Sequence, residues 1–306
     1  MDTAKVAQNS YTETAVNNAS SPKIFPPYRI ALITIYALVL LVGTTGLTLM
    51  TKLLKSNIRS ITTIAFLNLM VAHFLFLLTV PFRIYYYAYN DWGLSPGFCK
   101  VVSAMIHIHM YMVFIIYTII LTIRFLHFYK ITQRTKFNRR LHAMCASALV
   151  WSVLLPIMLP AVVSHYGKMG GDNLTTTQNQ CFKYEEMLED NHIYILNMIV
   201  SIVIVVVSCI QACIQTIILL SIILKYGPAS RSQQDFRVQM KNLCFVLFML
   251  TCLVPYNLFR PFYMEHIEKL QDINEVFLAI TALTCFDMLT FTGCAMCTAG
   301  PQAEEH

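Results

Sequence analysis

Chemistry in this sequence is confined to a few ionisable side chains that interrupt or border long uncharged stretches. Only 12% of the 306 residues are Asp, Glu, Lys or Arg, about half the share of a soluble domain. Each charge set among apolar residues is therefore costly and a candidate for function. Asp287 is the one charge within 276–297, His73 stands inside the uncharged run 60–82, and Arg124 closes the uncharged run 101–123. A histidine and a carboxylate at similar depth can form an ion pair that titrates near neutrality, or a neutral hydrogen bond with no switching role. Arg83 closes the run that holds His73, and Arg260 closes the run 242–259, with Tyr85, Tyr86, Tyr87 and Tyr263 close by in sequence. Two guanidinium groups facing one cavity suit a carboxylate or phosphate, through charge-assisted bonds. The same Arg and Tyr residues also suit anchoring at lipid headgroups. His107 and His109 are two positions apart and face different sides of a helix. They are not read as a metal pair, and neither a metal nor another cofactor is expected. His107 reaches either a ligand cavity or the packed interior.

The elements that must hold these residues are membrane helices. The chain is 57% apolar, which excludes an ordinary soluble enzyme. It also excludes a disordered or nucleic-acid-binding chain, despite a net charge of +6. Stretches with few or no charges and long enough to cross a bilayer recur seven times and place spans at about 30–51, 61–85, 99–128, 142–163, 192–224, 242–262 and 275–297. None alternates with a period of two, so a barrel is excluded. The expected architecture is an all-α bundle of seven transmembrane helices over residues 29–297, with a polar segment 1–28 before it and a short tail 298–306 after it.

Orientation follows from the short loops. Lys52, Lys55, Arg59, Lys130, Arg134, Lys136, Arg139, Arg140, Lys225, Arg231, Arg237 and Lys241 fall on one side, with Asp235 the acid among them. The opposite loops are acidic, with Glu185, Glu186, Glu189, Asp190, Glu265, Asp272 and Glu275 among their residues. The basic side is expected to be cytoplasmic, which puts the N-terminus outside and the C-terminus inside. Residues 1–28 lack the apolar core of a signal peptide. The sequons at Asn18 and Asn173 both fall on the outer side and are expected glycosylation sites.

Of ten cysteines, Cys99 and Cys181 are the two on the oxidising side, and they are expected to form a disulfide that pins the large outer loop over the bundle. Cys145, Cys209, Cys213, Cys244, Cys252 and Cys285 read as small buried apolar residues. Cys294 and Cys297 near the inner end suit helix packing or palmitoylation.

The motifs fall in an order that resembles the rhodopsin-like G-protein-coupled receptors. They run from Asn68-Leu69 with His73, through Cys99 and Arg124 25 residues later, to Trp151 and Pro160, Cys252-Leu253-Val254-Pro255 and Asp287-Met288-Leu289-Thr290-Phe291. The Pro81-Phe82-Arg83 and Pro255-Tyr256 to Arg260 forms resemble the branch of purinergic, protease-activated and lipid receptors. The resemblance implies a cell-surface receptor in the plasma membrane. Its implied partners are membrane lipids, a heterotrimeric G protein that meets Arg124 with Ile123 and Phe125, and an extracellular anionic small molecule or lipid near Arg83, Arg260, His107 and Tyr86. It also implies that His73 and Asp287 occupy the positions flanking the family's sodium pocket. A histidine there would replace the ion, leaving the protein insensitive to sodium. Several positions depart from the family pattern. Gly43–Gly46 lacks the span-one asparagine, His73 replaces an aspartate, Ile123 an acid, Leu253 a tryptophan and Met288 a proline, span five has no proline, and no eighth helix follows Cys297. Without an acid at Ile123, some ligand-free signalling is expected. Two competing functions remain at this stage: a non-coupling or decoy receptor, and a proton-coupled transporter using His73, Asp287 and Arg124. Internal repeats, which would favour a transporter, are absent, and no catalytic motif of an enzyme is present.

Overall fold

The computed structural model describes residues 26–55, 61–129, 151–152, 181–182, 191–227, 229, 233–290 and 292. Among them every extended element is helical. Six helical stretches are long and apolar enough to cross a membrane. Of the expected fourth span, 142–163, only Trp151 and Ser152 are described. Asn18, Asn173, the tail 298–306 and the position of an eighth helix lie outside the described residues.

Helix α1 (Pro27–Lys55) opens on a proline, whose missing N–H costs nothing in the first turn. Its threonines return their hydroxyls to carbonyls one turn back, Thr34 to Ile30 at 2.8 Å and Thr51 to Leu47 at 2.7 Å. Polar side chains are thereby satisfied where lipid offers no partner. The second expected span, 61–85, is two helices, α2 (Ile61–Leu77) and α3 (Val80–Tyr89). Pro81 has no N–H to donate to the Leu77 carbonyl one turn back, and just before it the Thr79 backbone N–H and hydroxyl both turn back to the Phe76 carbonyl, at 2.8 and 2.7 Å. Helix α4 (Pro96–Phe128) and helix α5 (Asn191–Tyr226), which contains no proline, run unbroken.

The sixth span starts earlier than expected, as α6 (Gln234–Phe248), widens into a π turn at Met249–Leu253, and continues as α7 (Val254–Glu265). Pro255 lies just past that turn. Its ring and missing N–H are what an α-helical ladder cannot accommodate without such a widening. The seventh span also starts earlier, as α8 (Ile267–Thr281), tightens into a 3-10 turn at Ala282–Phe286, and resumes as helix over 287–290. The expected start at 275 is therefore corrected. Glu275 is not in an outer loop but inside α8 and 4% exposed, whereas Asp272, three residues earlier on the same helix, is exposed.

Helix α4 runs through the middle, with 72% of its most apolar window buried, against 28% for α1 and 22% for α5. Helix α1 packs on α2, α3, α8 and the 3-10 turn, while α5 packs on α6 and α7. Gly46 permits a close approach of α1 to the seventh span, because a Cβ there would meet the Leu289 backbone nitrogen and the Met288 Cβ at 3.1 Å. Apolar side chains such as Leu41, Ile202, Ile217, Leu220 and Phe262 point outward, and buried polar ones point inward, as in a protein whose solvent is lipid.

Candidate functional site

At one end of the bundle, Cys99 at the start of α4 is bonded to Cys181, 82 residues away, with Cα atoms 5.9 Å apart. The next residue, Phe182, takes φ 62° and turns its ring into the bundle. It meets Tyr86, Tyr87 and Trp92 at centroid distances of 5.0, 5.9 and 5.7 Å, and its carbonyl accepts from Gln271 Nε2 at 2.8 Å. Beneath this plug lies Arg83, fully buried, its guanidinium carbon 4.4 Å from the Phe182 ring centroid. Arg83 is 3.7 Å from the Glu275 carboxylate, which also accepts from the Tyr87 hydroxyl at 2.7 Å. Arg83 further donates to the Val102 carbonyl at 3.1 Å and to the Tyr36 hydroxyl at 3.3 Å. Its charge is thus met by a carboxylate that the sequence reading had assigned to a loop. Tyr86 belongs to the aromatic plug. Tyr85, grouped with it in the sequence, instead lies 43% exposed on the outside, its ring tilted against Tyr89 at a centroid distance of 4.9 Å.

Arg260 on α7 has different neighbours. It donates to Asn197 Oδ1 of α5 at 2.7 Å and to the Tyr256 hydroxyl one turn back. Tyr256 is 3.3 Å from His107 Nε2 on α4, and His107 Nδ1 is 3.2 Å from the Ser103 carbonyl. The carbonyl can only accept, so Nδ1 carries the proton and Nε2 accepts from Tyr256. Arg260, Tyr256, His107 and Ser103 therefore form one directed chain from α7 to α4.

Midway along the bundle, His73 of α2 and Asp287 are in contact, with Nε2 3.1 and 3.3 Å from the two carboxylate oxygens. Tyr117 of α4 donates to Asp287 Oδ2 at 2.5 Å, and its ring packs on Phe245 of α6 at 5.0 Å. The other His73 nitrogen, Nδ1, faces His109 Nε2 at 2.8 Å and Cys285 Sγ at 3.4 Å. His73, Asp287, Tyr117, His109 and Cys285 are all buried.

At the far end from the disulfide, Arg124 donates to Asn242 Oδ1 of α6 at 2.6 Å. Asn242 donates to Gln239 Oε1 at 2.9 Å, and Gln215 of α5 donates to the same oxygen at 2.9 Å. A network of neutral amides joins α4, α5 and α6 through Arg124. Ile123 and Phe125 beside it are half-buried, and the Phe125 ring meets Tyr129 in a tilted contact at 4.9 Å. Trp151 Nε1 donates to Asn68 Oδ1 at 3.0 Å.

Sequence reasoning named His109, Cys285 and Glu275 without their partners, and missed the amide triad. Each had a faint signal. His109 is a polar residue in an apolar run, Cys285 lies two residues before Asp287, and Gln215, Gln239 and Asn242 are amides at the ends of spans. None announces a partner.

The family described as "7 transmembrane receptor (rhodopsin family)" matches residues 45–295. The chain is similar to probable G-protein coupled receptor 141 of Homo sapiens, 38% identical over 282 residues that cover 90% of each chain. It is also similar to probable G-protein coupled receptor 34 of Mus musculus, 26% identical over 276 residues, covering 85% of this chain and 72% of that protein. Lysophosphatidic acid receptor 6 of Gallus gallus is 27% identical over 208 residues, covering 66% of this chain and 65% of that protein.

Proposed function

The chain belongs to the rhodopsin family of seven-transmembrane receptors, a multi-pass receptor of the plasma membrane and not an enzyme, and from that premise we propose that it couples an extracellular ligand to heterotrimeric G proteins. In this reading the disulfide end is outside and the Arg124 end is cytoplasmic. The observation that carries it is the bond from Arg124 to Asn242. It clasps α4 to α6 at the end where the family meets its G protein. An equilibrium between two helix packings would break this clasp and release Arg124.

The ligand we propose is an anion, a small molecule or a lipid, seated near Arg260 with His107 and Tyr86 at its margins. Arg260 donates to Asn197 and Tyr256, and its planar guanidinium, with five N–H donors, has the geometry to hold a carboxylate or phosphate. One relative is by name a receptor for lysophosphatidic acid, a lipid with a phosphate. Arg83, opposed by Glu275, takes a supporting place. The contact between His73 and Asp287 occupies the family's sodium positions, and sodium is expected to leave basal signalling unchanged.

The test is G-protein dissociation in cells at matched surface level. Arg124→Ala abolishes the signal, and Asn242→Ala, which opens the clasp, raises the basal level several-fold. A wild type that reaches the surface and stays silent with every G-protein subtype and lipid extract would point instead to a non-coupling receptor.

A further inference from the structure

We infer that His73, His109 and Cys285 form a binding site for a transition-metal ion, zinc foremost, in the middle of the bundle. The site is independent of coupling and of the ligand proposed above. Three donor atoms on three different elements converge: His73 Nδ1 on α2, His109 Nε2 on α4 and Cys285 Sγ in the 3-10 turn. Their separations are 2.8, 3.4 and 3.7 Å, and all three residues are buried. A point equidistant from the three atoms lies about 1.9 Å from each. An ion displaced slightly out of their plane reaches the ~2.0–2.1 Å of a Zn–N bond and approaches the ~2.3 Å of a Zn–S bond.

The surroundings fit a ligand set better than a hydrogen-bonded cluster. His73 Nε2 is committed to Asp287, so its proton sits there and the Nδ1 lone pair points into the triangle. This is the carboxylate–histidine–metal arrangement, in which the outer carboxylate fixes the tautomer and raises ligand basicity. Tyr117 in turn holds Asp287 from the other side. Phe76 stacks on the His109 ring at 4.3 Å with an interplanar angle of 17°, fixing its orientation. Hydrogen bonds alone serve the triangle poorly. His73 Nδ1 has one lone pair, and both the His109 N–H and the Cys285 S–H face it.

Charge also balances. Binding Zn2+ takes the proton from the Cys285 thiol and releases it. The resulting thiolate and the Asp287 carboxylate together neutralise the ion, as a low-dielectric site requires. Two imidazoles and a thiolate select zinc or a cuprous ion over sodium, magnesium or calcium, which prefer oxygen ligands. Three protein ligands leave a fourth position for water.

The test uses the full chain purified in lipid nanodiscs without chelators. Elemental analysis is expected to find roughly one zinc per chain, falling to background in Cys285→Ser and in His109→Gln. Copper at the same stoichiometry, with the same dependence on these residues, would support the same site with the softer ion. Exchange into Co2+ is expected to produce a thiolate-to-cobalt charge-transfer band that Cys285→Ser removes. Cys252→Ser, a thiol outside the triangle, is expected to keep that band. Wild-type protein that carries only background metal and shows no Cys285-dependent cobalt band overturns the inference.

Discussion

Arg83 and Arg260 are the same residue type, each set beside a proline in a helix near the disulfide end, and the bundle treats them in opposite ways. Arg83 is sealed beneath Phe182 and faces the Glu275 carboxylate at 3.7 Å. Its other bonds run to α1 and to backbone carbonyls of α4. It is a brace among four helices whose charge is answered from within. Arg260 is 9% exposed and bonds to an asparagine and a tyrosine. Tyr256 passes the contact on to His107. Arg83 braces the fold against a carboxylate of α8, whereas Arg260, in the reading proposed above, offers its guanidinium to an incoming anion. The elements beside each arginine, more than the arginine itself, separate the two roles.

The largest effect is expected where that contrast is deepest. Glu275→Ala leaves the Arg83 charge buried beside Tyr87 and Tyr36 without its carboxylate. Stability should fall by about 3–5 kcal/mol, read as a lower melting temperature in detergent and loss of surface protein. Arg260→Ala should cost less, about 1–3 kcal/mol for hydrogen bonds to a charged group. It should reach the surface and lose response to lysophosphatidic acid or other phosphate-bearing lipids that activate wild type. If Arg260→Ala unfolds the protein while Glu275→Ala is tolerated, the two roles are exchanged and the comparison breaks. The smallest effect belongs to Tyr256→Phe, which removes one hydroxyl between Arg260 and His107. About 0.5–1.5 kcal/mol is expected, with a right-shifted ligand response. An unchanged response would place His107 outside the ligand's reach.

Much of the architecture was legible before any coordinates. The spans could be read from uncharged runs because a helix in lipid must supply its own hydrogen bonds and a fixed length of apolar surface. Cys99 and Cys181 could be paired because membrane topology sorts thiols by compartment. The boundaries were less accurate. Pro81 and Pro255 were visible in the sequence, but whether each yields a break, as before α3, or a π turn, as at Met249–Leu253, depends on what packs beside it. The acids of α8 were mistaken for a loop because an outward-facing first turn of a helix and a loop have the same composition.

The candidate site was legible only as a set of unusual residues. His73 and Asp287 stood out because ionisable groups in an apolar run are rare. His109 and Cys285 did not, since a lone histidine or cysteine in a span reads as packing.

The sequence by itself determined the membrane class and the two cysteines that pair, because each depends on local composition and on where charges interrupt it. Tertiary structure decided which side chains meet: Glu275 with Arg83, Asn242 with Arg124, and Cys285 with His73 and His109. The reason is rotational. A 3-10 turn advances each residue roughly 20° further than an α-helix, about 100° over the five residues Ala282–Phe286. The face that Cys285 and Asp287 present to the bundle therefore follows from a local winding that only packing against α1, α2 and α4 selects.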